Sequence, residues 1–187
     1  MTRSTQLNIA CLLLLVASAC SKPIQNSGSE SPTAPAGTLA LTEDKHIASV
    51  DVVKATAQPI QIAAGSSGDA TVRLTIQSGY HINANPPTYP YLIATGLEIA
   101  TDEGVSVGHP IYPKAVNRKF PFAEKPLAVY EGQTEVKTTL KTDKSAKPGQ
   151  RSLAAKLRIQ ACDEQVCYPP GTLDLVIPVS IKATGTP

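Results

Sequence analysis

Two cysteines, Cys162 and Cys167, carry the most evident chemistry in the sequence. They enclose Asp163-Glu164-Gln165-Val166, and Tyr168-Pro169-Pro170-Gly171 follows them. A gap of four residues suits a hairpin connection, so the two sulfurs could approach bonding distance. Three chemistries are open to such a pair. As a structural disulfide it closes a small loop, which adds less than roughly 3 kcal/mol. As a metal site it needs further ligands, and the histidines, His46, His81 and His109, lack ligand spacing to it. As a redox pair it cycles between dithiol and disulfide.

The redox version differs from the C-x-x-C arrangement that opens a helix, where the helix N-terminus lowers the thiol pKa. Here consecutive prolines oppose a helix after Cys167, and Asp163 and Glu164 add charge that disfavours a thiolate. The expectation is a weakly activated thiol at Cys167, suited to a partner's role. Its disulfide is attacked by a more activated cysteine, or its dithiol passes electrons onward.

Other chemistry is sparse. No Ser/His/Asp set, phosphate loop or pair of catalytic carboxylates has linking spacing. Seventeen Lys and Arg against fifteen Asp and Glu give a net charge of +2 without a basic block, so no nucleic-acid partner is expected. His81 reads as a packed histidine at a strand end that could also tune the thiols. Asn83 and Asn85, before Pro86-Pro87, read as turn formers, and Asp163 and Glu164 as solvated hairpin residues.

The other two of the four cysteines lie near the N-terminus. Ile9–Ala19 is an apolar run of 11 residues, holding Cys11 and followed by Cys20. It is too short for the roughly 20 residues of a spanning helix, and small residues close it, as in a secretory signal. It resembles a bacterial lipoprotein signal, which implies lipidation of Cys20. Ala17 departs from the more usual Leu. The expected organisation is a signal at 1–19, a Ser/Pro/Gly-rich tether at 20–45, one domain at 46–183 and a tail at 184–187. The compartment is non-cytosolic, where disulfides persist.

The domain reads as β. Val72, Leu74 and Ile76 alternate in Thr71–Gln77, as do Val136 and Leu140 in Gln133–Thr142. Leu153 to Ala161 and Leu173 to Ile181 alternate more strongly, and Val50–Val52 and Ile60–Ile62 are shorter cases. Turns are expected at Ser66–Gly68, Asn85–Pro87, Lys147–Gly149 and Pro169–Gly171. Sixteen prolines and no helical window point to an all-β, immunoglobulin-like antiparallel sandwich. Seven of the eight aromatics gather between Tyr80 and Tyr130, so loop or core packing concentrates there.

Gln160-Ala161-Cys162, together with Cys167-Tyr168-Pro169-Pro170, resembles the active-site hairpin of the N-terminal periplasmic domain of the DsbD thiol:disulfide interchange family, also called disulfide bond correctors. Gly79-Tyr80-His81-Ile82-Asn83 resembles that family's early motif, and Val129-Tyr130-Glu131-Gly132 its strand entry after a cap loop. The resemblance spans about His46–Lys182. It implies a sandwich with one redox disulfide, Cys162–Cys167, in which Cys167 exchanges with partners and Cys162 resolves the mixed disulfide. It implies a cap loop over Asn117–Lys125 with Phe120 or Phe122 at its tip. Tyr168, next to Cys167, reads either as a shield for that sulfur or as plain packing. The implied donor is a thioredoxin-like domain or membrane reductase. The implied clients are periplasmic disulfide isomerases or cytochrome c maturation proteins. Relatives continue into membrane and thioredoxin domains, whereas this sequence stops at Pro187, so the electron source is expected on another chain.

The expected function is thus cofactor-free protein thiol–disulfide exchange in the cell envelope, at a membrane through lipidated Cys20. The alternative is a non-enzymatic envelope binding module with a structural disulfide, and a metal- or haem-delivery accessory is a third class.

Overall fold

The structure, a computed structural model, describes residues 47–184. The signal at 1–19, Cys20, the tether at 20–45, His46 and residues 185–187 of the tail lie outside the described residues.

A 3-10 turn, Ser49–Val52, leads into twelve strands. In chain order these are β1 (Val53–Ala57), β2 (Ile60–Ala63), β3 (Ser67–Ile76), β4 (His81–Asn83), β5 (Gly96–Ile99), β6 (Val105–Ile111), β7 (Val116–Arg118), β8 (Leu127–Tyr130), β9 (Gln133–Thr142), β10 (Gly149–Ile159), β11 (Ala161–Cys162) and β12 (Gly171–Lys182). They form three four-stranded sheets, ordered β1-β3-β9-β6, β2-β12-β10-β5 and β11-β4-β8-β7.

Period-two alternation produces the first two sheets. Val72, Leu74 and Ile76 of β3 are buried with Val136 and Leu140 of β9. They share one core with Leu153, Ala155, Leu157 and Ile159 of β10 and Ile177, Val179 and Ile181 of β12. Each Val, Leu or Ile among them contributes about 1.5–3 kcal/mol when fully buried. The result is an immunoglobulin-like β-sandwich, and among the described residues no helix is long and apolar enough to cross a membrane.

Local departures from the sequence expectation have physical causes. Val50–Val52 is not a strand. The Asp51 carboxylate accepts a hydrogen bond from Ala48 N at 2.9 Å, which closes the 3-10 turn. The turn expected at Ser66–Gly68 lies slightly earlier, because Ser67 and Gly68 already pair with β9. One pair, β2 with β12, is parallel, although an antiparallel sandwich was expected throughout. The expected single strand through Ala161 breaks at Gln160, and this break creates the third sheet and positions the cysteines.

Candidate functional site

β10 and β12 pair along their length, ending at Ile159 opposite Gly171. The segment between them leaves that sheet. Its exit is fixed by the side chain of Gln160, whose Oε1 accepts from Asn83 Nδ2 and from Ile93 N, both at 3.0 Å. Its Nε2 donates to Tyr168 O at 3.2 Å. β11 then pairs with β4, placing Cys162 directly opposite His81. Ser49 ties the same segment from the other side. Its Oγ donates to Pro169 O at 2.7 Å and accepts from Ala161 N at 2.9 Å.

The hairpin tip organises itself around Asp163. Its Oδ1 accepts from Gln165 N at 2.7 Å and Val166 N at 2.8 Å, and its Oδ2 accepts from the Tyr168 hydroxyl at 2.5 Å. The backbone closes the loop through Asp163 N to Val166 O and Tyr168 N to Ala161 O. Burial pushes the Asp163 carboxyl up, but these hydrogen bonds outweigh it and hold it below the usual carboxylate range. The same contact pushes the Tyr168 hydroxyl up to about 12.

A disulfide joins Cys162 to Cys167, with their Cα atoms 3.9 Å apart. The two sulfur positions differ in access. Cys162 is completely buried, whereas Cys167 is half-buried and borders an open groove of about 320 Å³. Tyr89, Tyr91, Leu92, Phe122 and Val166 make this groove apolar. Tyr91, Phe122 and Val166 are 73%, 43% and 51% exposed, an unusual cluster of accessible apolar side chains.

Behind Phe122 runs an aromatic stack. The ring of Phe122 lies 5.4 Å from that of Phe120, which in turn stacks on His81 at 4.1 Å. Phe120 is buried. Tyr168 packs near Tyr80, with rings 6.1 Å apart. Of the three aromatics singled out from sequence, only Phe122 lines the groove beside Cys167.

His81 also borders a polar cleft of about 550 Å³, lined with it by Tyr80, Arg118, Glu131 and Glu164 among others. Arg118 at the end of β7 holds Glu131 at 3.4 Å and Glu164 at 3.1 Å. Arg118 thereby offsets part of the acidic charge of the hairpin. Burial lowers the pKa of His81 to about 4, against an opposing pull from Glu164.

Asn83 is not a turn former but a buried strand residue bonded to Gln160 and to Ile93 O. Asp163 is not merely solvated but caps the hairpin. Gln160 stood in the hairpin motif and Arg118 in the expected cap loop, but their roles, and that of Ser49, had no sequence signal, because each acts on residues far along the chain. Cys20 lies outside the described residues.

The family described as "Thiol:disulfide interchange protein DsbD, N-terminal" matches residues 49–177. No match is found among curated proteins. Among solved structures, the reduced N-terminal domain of Neisseria meningitidis DsbD is similar at 23% identity and a TM-score of 0.40. That likeness covers 61% of this chain and 79% of that one. The N-terminal periplasmic domain of ScsB from Proteus mirabilis is similar at 17% identity and a TM-score of 0.46, covering 67% of this chain. The likeness spans 44% of the ScsB structure's own length. The family match runs from the 3-10 turn into β12 and contains both cysteines, so the chain belongs to the DsbD N-terminal domain family.

Proposed function

We propose that this chain performs protein thiol–disulfide exchange in the cell envelope, relaying reducing equivalents from a thioredoxin-like donor to client proteins through Cys162 and Cys167. The observation that carries this reading is the unequal access of the two sulfurs: Cys162 is sealed, and Cys167 opens onto an apolar groove. A donor thiolate attacks Cys167 Sγ. A donor–Cys167 disulfide forms, and the Cys162 sulfur leaves as a thiolate that takes up a proton. The donor's second thiol then displaces Cys167, leaving the dithiol on this chain and a disulfide on the donor. In the onward step Cys167 attacks a client disulfide, and Cys162 resolves the product by attacking Cys167 and releasing the client thiol. Electrons pass as thiol pairs, so no cofactor is needed.

Phe122 is the shielding residue of the groove, Phe120 the buried stem that supports it, and Tyr168 holds the hairpin through Asp163. The proposed donor is a thioredoxin-like domain or membrane reductase. The proposed clients are periplasmic disulfide isomerases or cytochrome c maturation proteins, and lipidated Cys20 keeps the domain at a membrane surface. A Cys20→Ala variant should leave the membrane fraction, and a variant that stays there removes the anchor from the proposal.

A trap tests the exchange. Cys162→Ser should accumulate mixed disulfides through Cys167 in the native envelope, whereas Cys167→Ser should not. In the folded chain, a mild dithiol donor should reduce the pair. Resistance to that donor until unfolding, with no trapped partner, would leave a binding module with a structural disulfide.

A further inference from the structure

His81 has two features that packing alone does not explain. Its Nε2 is buried without a hydrogen-bond partner, a state that is costly and uncommon for a polar atom in a core. It also stands directly across the β4–β11 ladder from Cys162. Residues opposed in an antiparallel pair project to the same face, with Cβ atoms about 4.5–5.5 Å apart. A completely buried sulfur that must become a thiolate during exchange therefore shares a strand face with an unpartnered imidazole nitrogen.

Resting on the exchange reading above, we propose that His81 is the proton acceptor and donor for the Cys162 sulfur. In the resolving step, Cys162 Sγ–H gives its proton to the imidazole as the sulfur attacks Cys167 Sγ. The client–Cys167 bond breaks, and the client sulfur leaves with the electron pair and takes up a proton. In the reducing step the direction reverses: the departing Cys162 thiolate takes a proton that the imidazole passes on. Proton balance closes through solvent, because His81 also borders the polar cleft.

Two further contacts suit this role. Phe120 stacks on the ring at 4.1 Å and is itself buried, which fixes the imidazole plane. Burial keeps the ring neutral near pH 7, in its proton-accepting form. The imidazolium formed in the step is held by the carboxylates of Glu164 and Asp163 until its proton passes to solvent, since opposite charges attract. The charged and titratable groups facing the ring are Glu164 and Asp163 on the hairpin, Arg118 on β7, Glu131 beyond β8 and Tyr80 before β4. Of these, Glu164 and Asp163 favour the imidazolium and Arg118 opposes it.

The test uses the reduced chain in a Cys11→Ala, Cys20→Ala background, which leaves Cys162 and Cys167 as its two thiols, mixed with Ellman's disulfide reagent in a stopped-flow instrument. Cys167 attack releases the first nitrothiobenzoate, and Cys162 resolution releases the second. His81→Gln should leave the first phase within about twofold and slow the second by roughly 100-fold, the scale of general acid–base catalysis. Its pH profile should lose the dependence that the wild-type second phase shows. In the wild-type chain, the NMR-detected imidazole pKa of His81 should be lower in the dithiol than in the disulfide state, since only the dithiol offers a Cys162 S–H that donates to the neutral imidazole. An unchanged second phase, or a His81 titration identical in both states, overturns the proposal. Should His81→Gln fail to fold, the wild-type titration decides. A chain that shows both phases but traps no envelope protein keeps the proton role and loses the relay reading.

Discussion

His81 titrates at a cost to the fold, and the sign follows from burial. Its folded pKa of about 4 lies below the ordinary 6.5, so the unfolded chain binds the extra proton between those values. Stability is complete above about pH 6.5 and falls as pH drops toward 4, by up to about 1.4 kcal/mol per pH unit. Thermal melts across this window should show that decline, and His81→Gln should flatten it; an equal decline in the variant assigns it to other groups. Asp163 acts in the same direction at lower pH, because its hydrogen bonds favour the carboxylate, so their contribution disappears as it protonates. Asp163→Asn keeps the shape and loses the charge. Amide exchange at Gln165 and Val166, which donate to that carboxylate, should speed up in the variant. The change should cost about 1 kcal/mol, the usual net value of a hydrogen bond.

The loop between β7 and β8 divides its two phenylalanines between separate tasks. Phe120→Ala removes a buried ring and should cost about 3–5 kcal/mol in denaturant melts. Phe122→Ala touches a half-exposed ring at the groove, so stability should change by no more than about 0.5 kcal/mol. On the proposed shielding role, reduction of the disulfide by dithiothreitol should instead become faster, because Phe122 lines the groove that Cys167 borders. Equal reduction rates with and without the Phe122 ring would return that residue to plain packing. At the hairpin base, a Cβ on Gly171 would lie 2.6 Å from Val50 Cγ1. Valine is stiff at χ1, so Gly171→Ala must displace the 3-10 turn. A loss of about 1–3 kcal/mol is expected, the usual range for overpacking.

The molecule as a whole keeps its stability away from its chemistry. The main core lies between the β3/β9 and β10/β12 layers, while Cys162 sits on the third sheet and Cys167 on the hairpin that leaves it. A disulfide between cysteines five positions apart closes a short loop, worth about 2 kcal/mol by chain entropy. Breaking it therefore leaves the sandwich intact, and the hydrogen bonds of Gln160, Ser49 and Asp163 still hold the hairpin. The reduced and oxidised chains should both melt cooperatively, the reduced form lower by no more than about 2 kcal/mol. A reduced form that loses its native far-ultraviolet dichroism would mark the disulfide as a structural staple.

The sequence by itself determined the sandwich, because period-two burial in β3, β9, β10 and β12 is a local property of adjacent residues. It also isolated Cys162 and Cys167 within one short hairpin segment. Tertiary structure decided what surrounds them. Gln160 leaves the second sheet through contacts with Asn83 and Ile93, far along the chain, so the continuous alternation through Ala161 conceals the break. The strand pairing that sets His81 against Cys162 joins residues about eighty positions apart. Burial of Cys162 and exposure of Cys167 come from the same displacement. Side-chain type and spacing reveal which groups could react, but only long-range pairing decides which sulfur is buried and which residue stands opposite it.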